Sequence, residues 1–191
     1  IIEHVVEEAV GAGITDIIFV TRSGKGAIEN HFDVNYELEH RLEKGGKRII
    51  LGKVRNIIQK GVKITSIRQN DALGLGHAIL CAKHLVNNEP FAVLLPDVFI
   101  LDNQEFPKNY SFQRMVTTWN ESSIGQVMVE KVCASDVDKF GILDLEKSIL
   151  KQFESKKIKG LTEKPSKEMA ASPYAAVGRY ILPADIMNYL E

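Results

Sequence analysis

The chain has 191 residues, of which 45% are hydrophobic and 26% charged. This is the usual balance of a globular protein, at a length that suits one domain with a buried core. The 24 basic and 25 acidic residues leave a formal net charge of −1, so no overall field attracts nucleic acid or an anionic membrane. No apolar run approaches the roughly 18 residues that a transmembrane helix needs. Composition therefore predicts a soluble single-domain protein that binds a small molecule, without nucleic acid or membrane partners.

The cysteines and the chain ends add two expectations. Cys81 and Cys133 lie far apart and match neither a zinc pattern nor a disulfide framework, which favours a reduced, cytoplasmic protein. The chain starts without methionine inside an amphipathic helical pattern, and it stops in a helix that reaches no C-cap. We therefore expect a domain truncated at both ends.

Helices and strands are predicted to alternate along the chain. A helix covers residues 1–10, and a buried strand follows over residues 14–20, where the apolar run is too short for a helix. Further helices are predicted over residues 27–32, 36–43, 48–59, 77–85 and 112–120, and further strands over residues 62–67, 91–95, 124–129 and 175–182. Residues 141–145 and 149–153 resemble a hairpin around Glu146 and Lys147. The order indicates an α/β fold with a mixed, mostly parallel central sheet.

The first candidate site is a loop between a predicted strand and a predicted helix, residues 68–78, which reads RQNDALGLGHA. In an open α/β sheet, ligands bind outside the carboxyl ends of the strands. Gly74 and Gly76 would let the backbone approach a ligand closely, and the Gln69 amide can donate to and accept from a nucleobase. A glycine pair before a helix is more often an ordinary turn, so this loop alone is a weak signal.

Two charged groups follow the later strands. Asp97, in the segment LLPDV at residues 94–98, ends the next strand and is expected beside the glycine loop, where a carboxylate can hold Mg²⁺ against phosphate. Lys164, in LTEKP at residues 161–165, can act as a point charge on phosphate, and Pro165 favours an extended conformation for it. Taken singly, Asp97 would be interpreted as an ordinary turn residue, and Lys164 with the preceding Glu163 as a solvated charge pair.

Other polar residues are assigned no chemistry. Gly24-Lys25-Gly26 lacks P-loop spacing and is read as a turn. The five histidines show no metal-ligand spacing. His77 is read as a helix residue near a loop, and Cys81 as part of an apolar helix face.

Taken in order, these segments resemble the sugar-phosphate nucleotidylyltransferases, and most specifically the family of bacterial UTP:glucose-1-phosphate uridylyltransferases. The resemblance runs through nearly the whole chain and includes the helical segment 36–59. Further similar segments are residues 12–17 (AGITDI), 28–33 (IENHFD), 127–130 (VMVE), 140–142 (FGI) and 177–180 (VGRY). It implies a Rossmann-like three-layer nucleotidyltransferase fold.

The resemblance also implies a reaction and a set of roles. A glucose 1-phosphate oxygen would attack the α-phosphorus of UTP in line, giving UDP-glucose and pyrophosphate, with Mg²⁺ as cofactor. Asp97 would bind Mg²⁺ and, with Lys164, would be catalytic. The residues implied to bind the nucleotide are Gln69, Leu73 and Gly74. Those implied to bind the sugar phosphate are Gly141, Glu163, Lys164 and Val177. The family commonly assembles as dimers or tetramers, so a homo-oligomer is expected.

Two parts of the family pattern are absent from these residues: the glycine-rich G-x-G-T-R segment with its following lysine, and a second metal-binding aspartate. We expect little or no turnover from these residues alone. The alternatives are a thymidylyltransferase or other sugar-1-phosphate nucleotidylyltransferase, a non-catalytic regulatory paralogue, and a purely structural domain. Gln69, Asp97 and Lys164 together favour the enzyme.

Overall fold

A computed structural model of the chain describes residues 1–102, 105–146 and 149–191. It divides into two compact units, the first formed by Ile1–Glu89 with Ala184–Glu191 and the second by Pro90–Pro183. The expectation of a single domain stays a prediction. Within the described ranges, every helix is too short or too polar to cross a membrane. Both cysteines are free thiols.

The helices are α1 (Ile2–Gly11), α2 (Gly26–Phe32), α3 (Tyr36–Lys44), α4 (Arg48–Arg55), α5 (Leu75–Cys81), α6 (Lys83–Val86), α7 (Tyr110–Ser122) and α8 (Met187–Leu190). The strands are β1 (Asp16–Thr21), β2 (Lys63–Arg68), β3 (Phe91–Leu94), β4 (Gln126–Lys131), β5 (Gly141–Leu145), β6 (Ile158–Glu163) and β7 (Tyr174–Leu182). Short 3₁₀ turns occupy Val137–Lys139 and Ala184–Ile186.

The first unit is built around the parallel pair β1 and β2, in which Ile18 lies opposite Thr65. Its core contains Val6, Phe19 and Phe32, and the two phenyl rings lie 5.3 Å apart. The isoleucine-rich faces of the surrounding segments pack against these residues, so the apolar periodicity of the sequence translates directly into burial.

The second unit contains a five-stranded sheet arranged around β7. Tyr180 pairs with Val127 of β4 and with Val93 of β3, which places these strands on opposite sides of β7. Strand β5 pairs with β7 at Ala175, on the side away from β4, and β6 pairs with β5. All these pairs are antiparallel. Strands β3 and β5 therefore share one side of β7 and leave a gap between them.

The α/β class and the mixed strand directions are confirmed. Parallel pairing within the two units is limited to β1 and β2 among the described residues, so the prediction of a mostly parallel sheet is wrong for the pairs that the units contain. A parallel connection needs a crossover of a dozen or more residues, usually a helix. Between β4 and β7, the described residues have a short 3₁₀ turn as their only helical element, so the pairs β5–β6 and β5–β7 have no helical crossover that a parallel arrangement would need.

Three local predictions are also corrected. The partner of β5 is Ile158–Glu163 rather than residues 149–153, which form no strand; Lys147 of the predicted hairpin lies outside the described residues. The predicted helix 77–85 is divided at Ala82 into α5 and α6. The helix predicted to reach residue 59 ends at Arg55, although Ile57 and Ile58 still pack on the core.

Candidate active site

A cleft of about 480 Å³ opens in the first unit, where the parallel strands β1 and β2 end. The Gln69 amide N–H donates to the Thr21 carbonyl over 2.8 Å, so the two loops begin side by side. The lining residues are Arg22, Ser23, Gly24, Lys25, Gln69, Asn70 and Ala72. The cleft is thus lined by basic residues of one loop and amide residues of the other, a composition that suits an anionic ligand carrying a planar polar ring.

The Gln69 side chain is held from two directions. Its Nε2 donates to the Gly74 carbonyl over 3.1 Å and lies 3.0 Å from His77 Nδ1. Gly74 is the N-cap of α5 and has a φ of 96°, a left-handed conformation that favours glycine. The strand end, the loop and the first turn of α5 therefore fix one amide.

The structure brings together two of the three residues predicted to bind the nucleotide, while their role stays a prediction. Gln69 and Gly74 are brought into contact, whereas Leu73 is 72% exposed. Lys25, for which the sequence predicts only a turn, lines the same cleft. The position of Lys25 in the sequence indicates this location. Residues 22–25 follow the end of β1, just as Gln69 follows the end of the neighbouring parallel strand β2.

The second unit has a bulge in the middle of β7. Only one residue of β4 lies between the pairs Val127–Tyr180 and Val129–Ala176, whereas three residues of β7 do. Gly178, at the centre of the bulge, has a φ of 69°, and a Cβ built there would lie 2.9 Å from Leu95 Cβ. The bulge lies beside the gap between β3 and β5, a common setting for functional sites.

Arg179, also in the bulge, holds the loop that follows β3. Its side chain is fully buried and donates to the carbonyls of Leu95 over 2.8 Å and Val98 over 3.0 Å. It also donates to the Gly178 carbonyl over 3.2 Å. The two loop carbonyls flank Asp97, so the guanidinium fixes the backbone on both sides of an exposed carboxylate.

Glu163 and Lys164 end β6 next to the start of β5. Gly141 pairs with Glu163, and a Cβ on Gly141 would lie 3.0 Å from Glu163 Oε2. Lys164 has a φ of 46°, so the predicted extended conformation is wrong. Its N–H donates to the Phe140 carbonyl over 3.0 Å, a contact that turns the chain at the strand end despite the following proline. The turn breaks the alternation that would otherwise send neighbouring side chains to opposite faces.

The phenol of Tyr180 is influenced by the charges of both Asp97 and Glu163. The pKa of its phenol is raised above the ordinary value, first by burial and then by the negative charges of Glu163 and Asp97. Both carboxylates therefore act on the same end of the second unit, where a cation would be stabilised. The described residues contain no cluster of three or more histidine, cysteine or acidic side chains able to hold a metal ion. The exposed carboxylate of Asp97 suits a divalent cation of the kind that one or two carboxylates bind together with substrate phosphates.

The predicted residues fall into both units. Gln69, Leu73 and Gly74 belong to the first, and the remainder belong to the second. The expectation that Asp97 lies beside the glycine loop stays a prediction. Val177 is only 9% exposed, so a contact with a ligand would use its backbone.

Comparison with known proteins defines the class to which this α/β chain belongs. The chain belongs to the nucleotidyl transferase family, whose model matches residues 1–191.

The resemblance to the uridylyltransferases is confirmed by particular relatives. The UTP–glucose-1-phosphate uridylyltransferase of Haemophilus ducreyi is 46% identical over 191 residues, which are 100% of this chain and 65% of that protein. That of Escherichia coli K12 is 44% identical over 190 residues, 100% of this chain and 62% of that protein. The chain thus spans less than two thirds of the length of these relatives.

Solved structures give the same result for the fold. A UTP-bound UGPase from Acinetobacter baumannii has a TM-score of 0.91 and 46% identity, covering 98% of this chain and 64% of that chain. A UDP-glucose pyrophosphorylase complexed with UDP-glucose has a TM-score of 0.82 and 34% identity, covering 99% and 66% of the two chains. The nucleotidyltransferase fold expected from the sequence is confirmed.

Proposed function

We propose that the protein carrying this chain transfers a uridylyl group from UTP to glucose 1-phosphate, giving UDP-glucose and pyrophosphate. The observation that carries this proposal is the grouping of Asp97, Glu163 and Lys164 around the bulged strand β7 in the second unit. The names of relatives that are 46% and 44% identical over the whole chain support the choice of substrates.

The first unit would bind the nucleotide. Gln69, with Leu73 and Gly74, would hold the uracil ring. The positive charges of Arg22 and Lys25 in the same cleft favour an anionic ligand. Recognition of the base by amides and of the triphosphate by basic residues would suit a cleft in which these residues lie on adjacent loops.

The second unit would bind the sugar phosphate and a divalent cation, which we propose is Mg²⁺. Glu163 would accept hydrogen bonds from sugar hydroxyls, the backbone of Gly141 and Val177 would contact the sugar, and Lys164 would neutralise its phosphate. Mg²⁺ held by Asp97 would supply positive charge to the phosphate oxygens. In phosphoryl transfer the protein mostly positions the reactants and stabilises charge, so the exposed and rigidly supported Asp97 loop suits its role.

Asp97→Asn and Lys164→Met in the full-length protein test these roles. We expect each to lower Mg²⁺-dependent pyrophosphate release by about a hundredfold or more, because each removes a group that stabilises charge in the transition state. Unfolding free energy should change by less than about 1 kcal/mol, since both side chains are exposed. Steady-state kinetics and urea unfolding give the two quantities.

The matched control is Asp138→Asn, the same change at another exposed aspartate of the second unit. It should leave turnover within about twofold of wild type, as expected for a surface substitution. Equal losses of activity in Asp97→Asn and the control, or parallel losses of activity and stability, would contradict the assignment.

We also propose that the protein is cytoplasmic and assembles as a dimer or tetramer. Large apolar side chains are exposed in the first unit, including Val34 and Ile49 at 81% each. Light scattering on the full-length protein measures the assembly directly, and a monomer at micromolar concentration would contradict this part of the proposal.

A further inference from the structure

The contacts of the Gln69 amide define which end of that amide can meet a ligand. The Gly74 carbonyl can only accept a hydrogen bond, so the Gln69 atom 3.1 Å away must be the nitrogen. If the amide were rotated by half a turn, Gln69 Oε1 would lie against the Gly74 carbonyl oxygen, and neither oxygen could donate. Neither the contact with Gly74 nor the contact with His77 uses Oε1.

His77 completes this arrangement. Because Gln69 Nε2 presents its second hydrogen to Nδ1, that ring nitrogen must accept, and the proton of a neutral imidazole then lies on Nε2. Nε2 faces Cys81 Sγ at 3.9 Å, and a thiol sulfur can accept weakly. The contacts on both sides of the ring therefore favour the same tautomer.

We propose that His77 is a specificity-determining positioning residue: by accepting from Gln69 Nε2 it leaves only Oε1 to meet the base, which selects pyrimidines that present an N3–H donor. Uracil has that donor. Cytosine presents a lone pair at N3, which would face Oε1 in the same pose. Thymine shares the uracil edge, so this device separates UTP from CTP and does not separate UTP from dTTP. The inference rests on the proposed function, in which Gln69 holds the base.

A change at His77 is therefore expected to alter the preference for UTP over CTP, and not the affinity for the triphosphate. His77→Phe keeps a planar ring on the first turn of α5 and removes the acceptor, so the Gln69 amide can present either end. We expect the ratio of Kd for CTP to Kd for UTP to fall about tenfold, the effect of one hydrogen bond with reversed polarity. His77→Asn can turn its side-chain oxygen toward Gln69 and should restore most of the ratio.

The binding experiment is calorimetry on the full-length protein with Mg²⁺ and either UTP or CTP. His84→Phe is the matched control, because it is the same substitution at an exposed position on α6. It should leave the CTP-to-UTP ratio unchanged. A ratio in His77→Phe equal to that of wild type would overturn the inference.

A second measurement needs no variant and does not depend on folding of the substituted protein. Long-range ¹H–¹⁵N spectra of the wild-type protein report the imidazole tautomer, and the Nε2–H form is expected for His77. The Nδ1–H form in a protein that binds UTP would overturn this inference and leave the proposed function standing. Wild-type protein that is folded but binds no UTP would overturn the proposed function, and this inference with it.

Discussion

Gly178 shows at the scale of one residue how the second unit depends on backbone freedom. Its φ of 69° lies in the left-handed region, and the Cβ that any other residue would carry falls 2.9 Å from Leu95 Cβ. Glycine therefore permits both the bulge of β7 and the close approach of the loop that carries Asp97.

Replacing Gly178 with alanine should destabilise the protein by about 1–3 kcal/mol, because the substitution combines an unfavourable φ with a steric contact. Gly160→Ala is the control: Gly160 lies in β6, and a Cβ there would meet nothing within 4 Å. Urea unfolding of both variants measures the difference. Similar unfolding free energies for the two would contradict this account of the bulge.

Some features of the second unit follow from neighbouring residues in the sequence, and others depend on contacts between distant segments. Asp97, Glu163 and Lys164 are candidates because their neighbouring motifs resemble those of a family. Arg179 lies inside one of those motifs, but its contacts with the Leu95 and Val98 carbonyls depend on two strands far apart in sequence. The left-handed Lys164 could not be predicted either, since the local effect of Pro165 favours the opposite conformation.

Among the elements, the strand pair β5 and β6 accommodates the Glu163 side chain beside a glycine. Gly141 lies opposite Glu163, and its missing side chain leaves space for the carboxylate. The arrangement depends on the strand pair as a whole, because the register Gly141–Glu163 is fixed by the pairs that follow it.

Gly141→Ala should displace the Glu163 carboxylate, since the new Cβ would lie 3.0 Å from Oε2. We expect KM for glucose 1-phosphate to rise about tenfold, the loss of roughly one good hydrogen bond, with a much smaller change in KM for UTP. Gly160→Ala, in the same strand pair, serves as the control. Equal increases for both substrates would argue against a sugar-binding role for this pair.

The loop after β3 depends on Arg179 from the neighbouring strand. Arg179→Lys keeps the charge but cannot reach the same carbonyls with a planar fork, and it should cost about 1–3 kcal/mol of stability. We further expect the mutant to need a higher Mg²⁺ concentration for half-maximal turnover, because the Asp97 backbone loses its support. Thermal unfolding and a Mg²⁺ titration measure these effects. Arg41→Lys, at an exposed helix position, should change neither.

Some elements could be predicted and others could not, for physical reasons. Strand β7 was recognised because its residues are mostly apolar and buried. Strand β6 was missed because every one of its residues is exposed, and its polar sequence lacks the alternation that marks a half-buried strand. Residues 149–153 have the more apolar composition, and the hairpin was therefore assigned to the wrong segment.

In the molecule as a whole, one unit contains a cleft lined by basic and amide residues, and the other contains Asp97, Glu163 and Lys164. Membership of the nucleotidyl transferase family was predictable from the order of the motifs, since that order runs through nearly the whole sequence. The strand directions were less predictable, because pairing partners are chosen by long-range contacts that no single segment encodes.

The choice of UTP and glucose 1-phosphate as substrates can be tested by measuring pyrophosphate release by the full-length protein. The assay would supply Mg²⁺, glucose 1-phosphate and UTP, dTTP, CTP, ATP or GTP in turn. We expect release to be strongest with UTP. Preference for dTTP would assign the protein to the thymidylyltransferases, and no release with any nucleotide from a folded sample would contradict the enzymatic function itself.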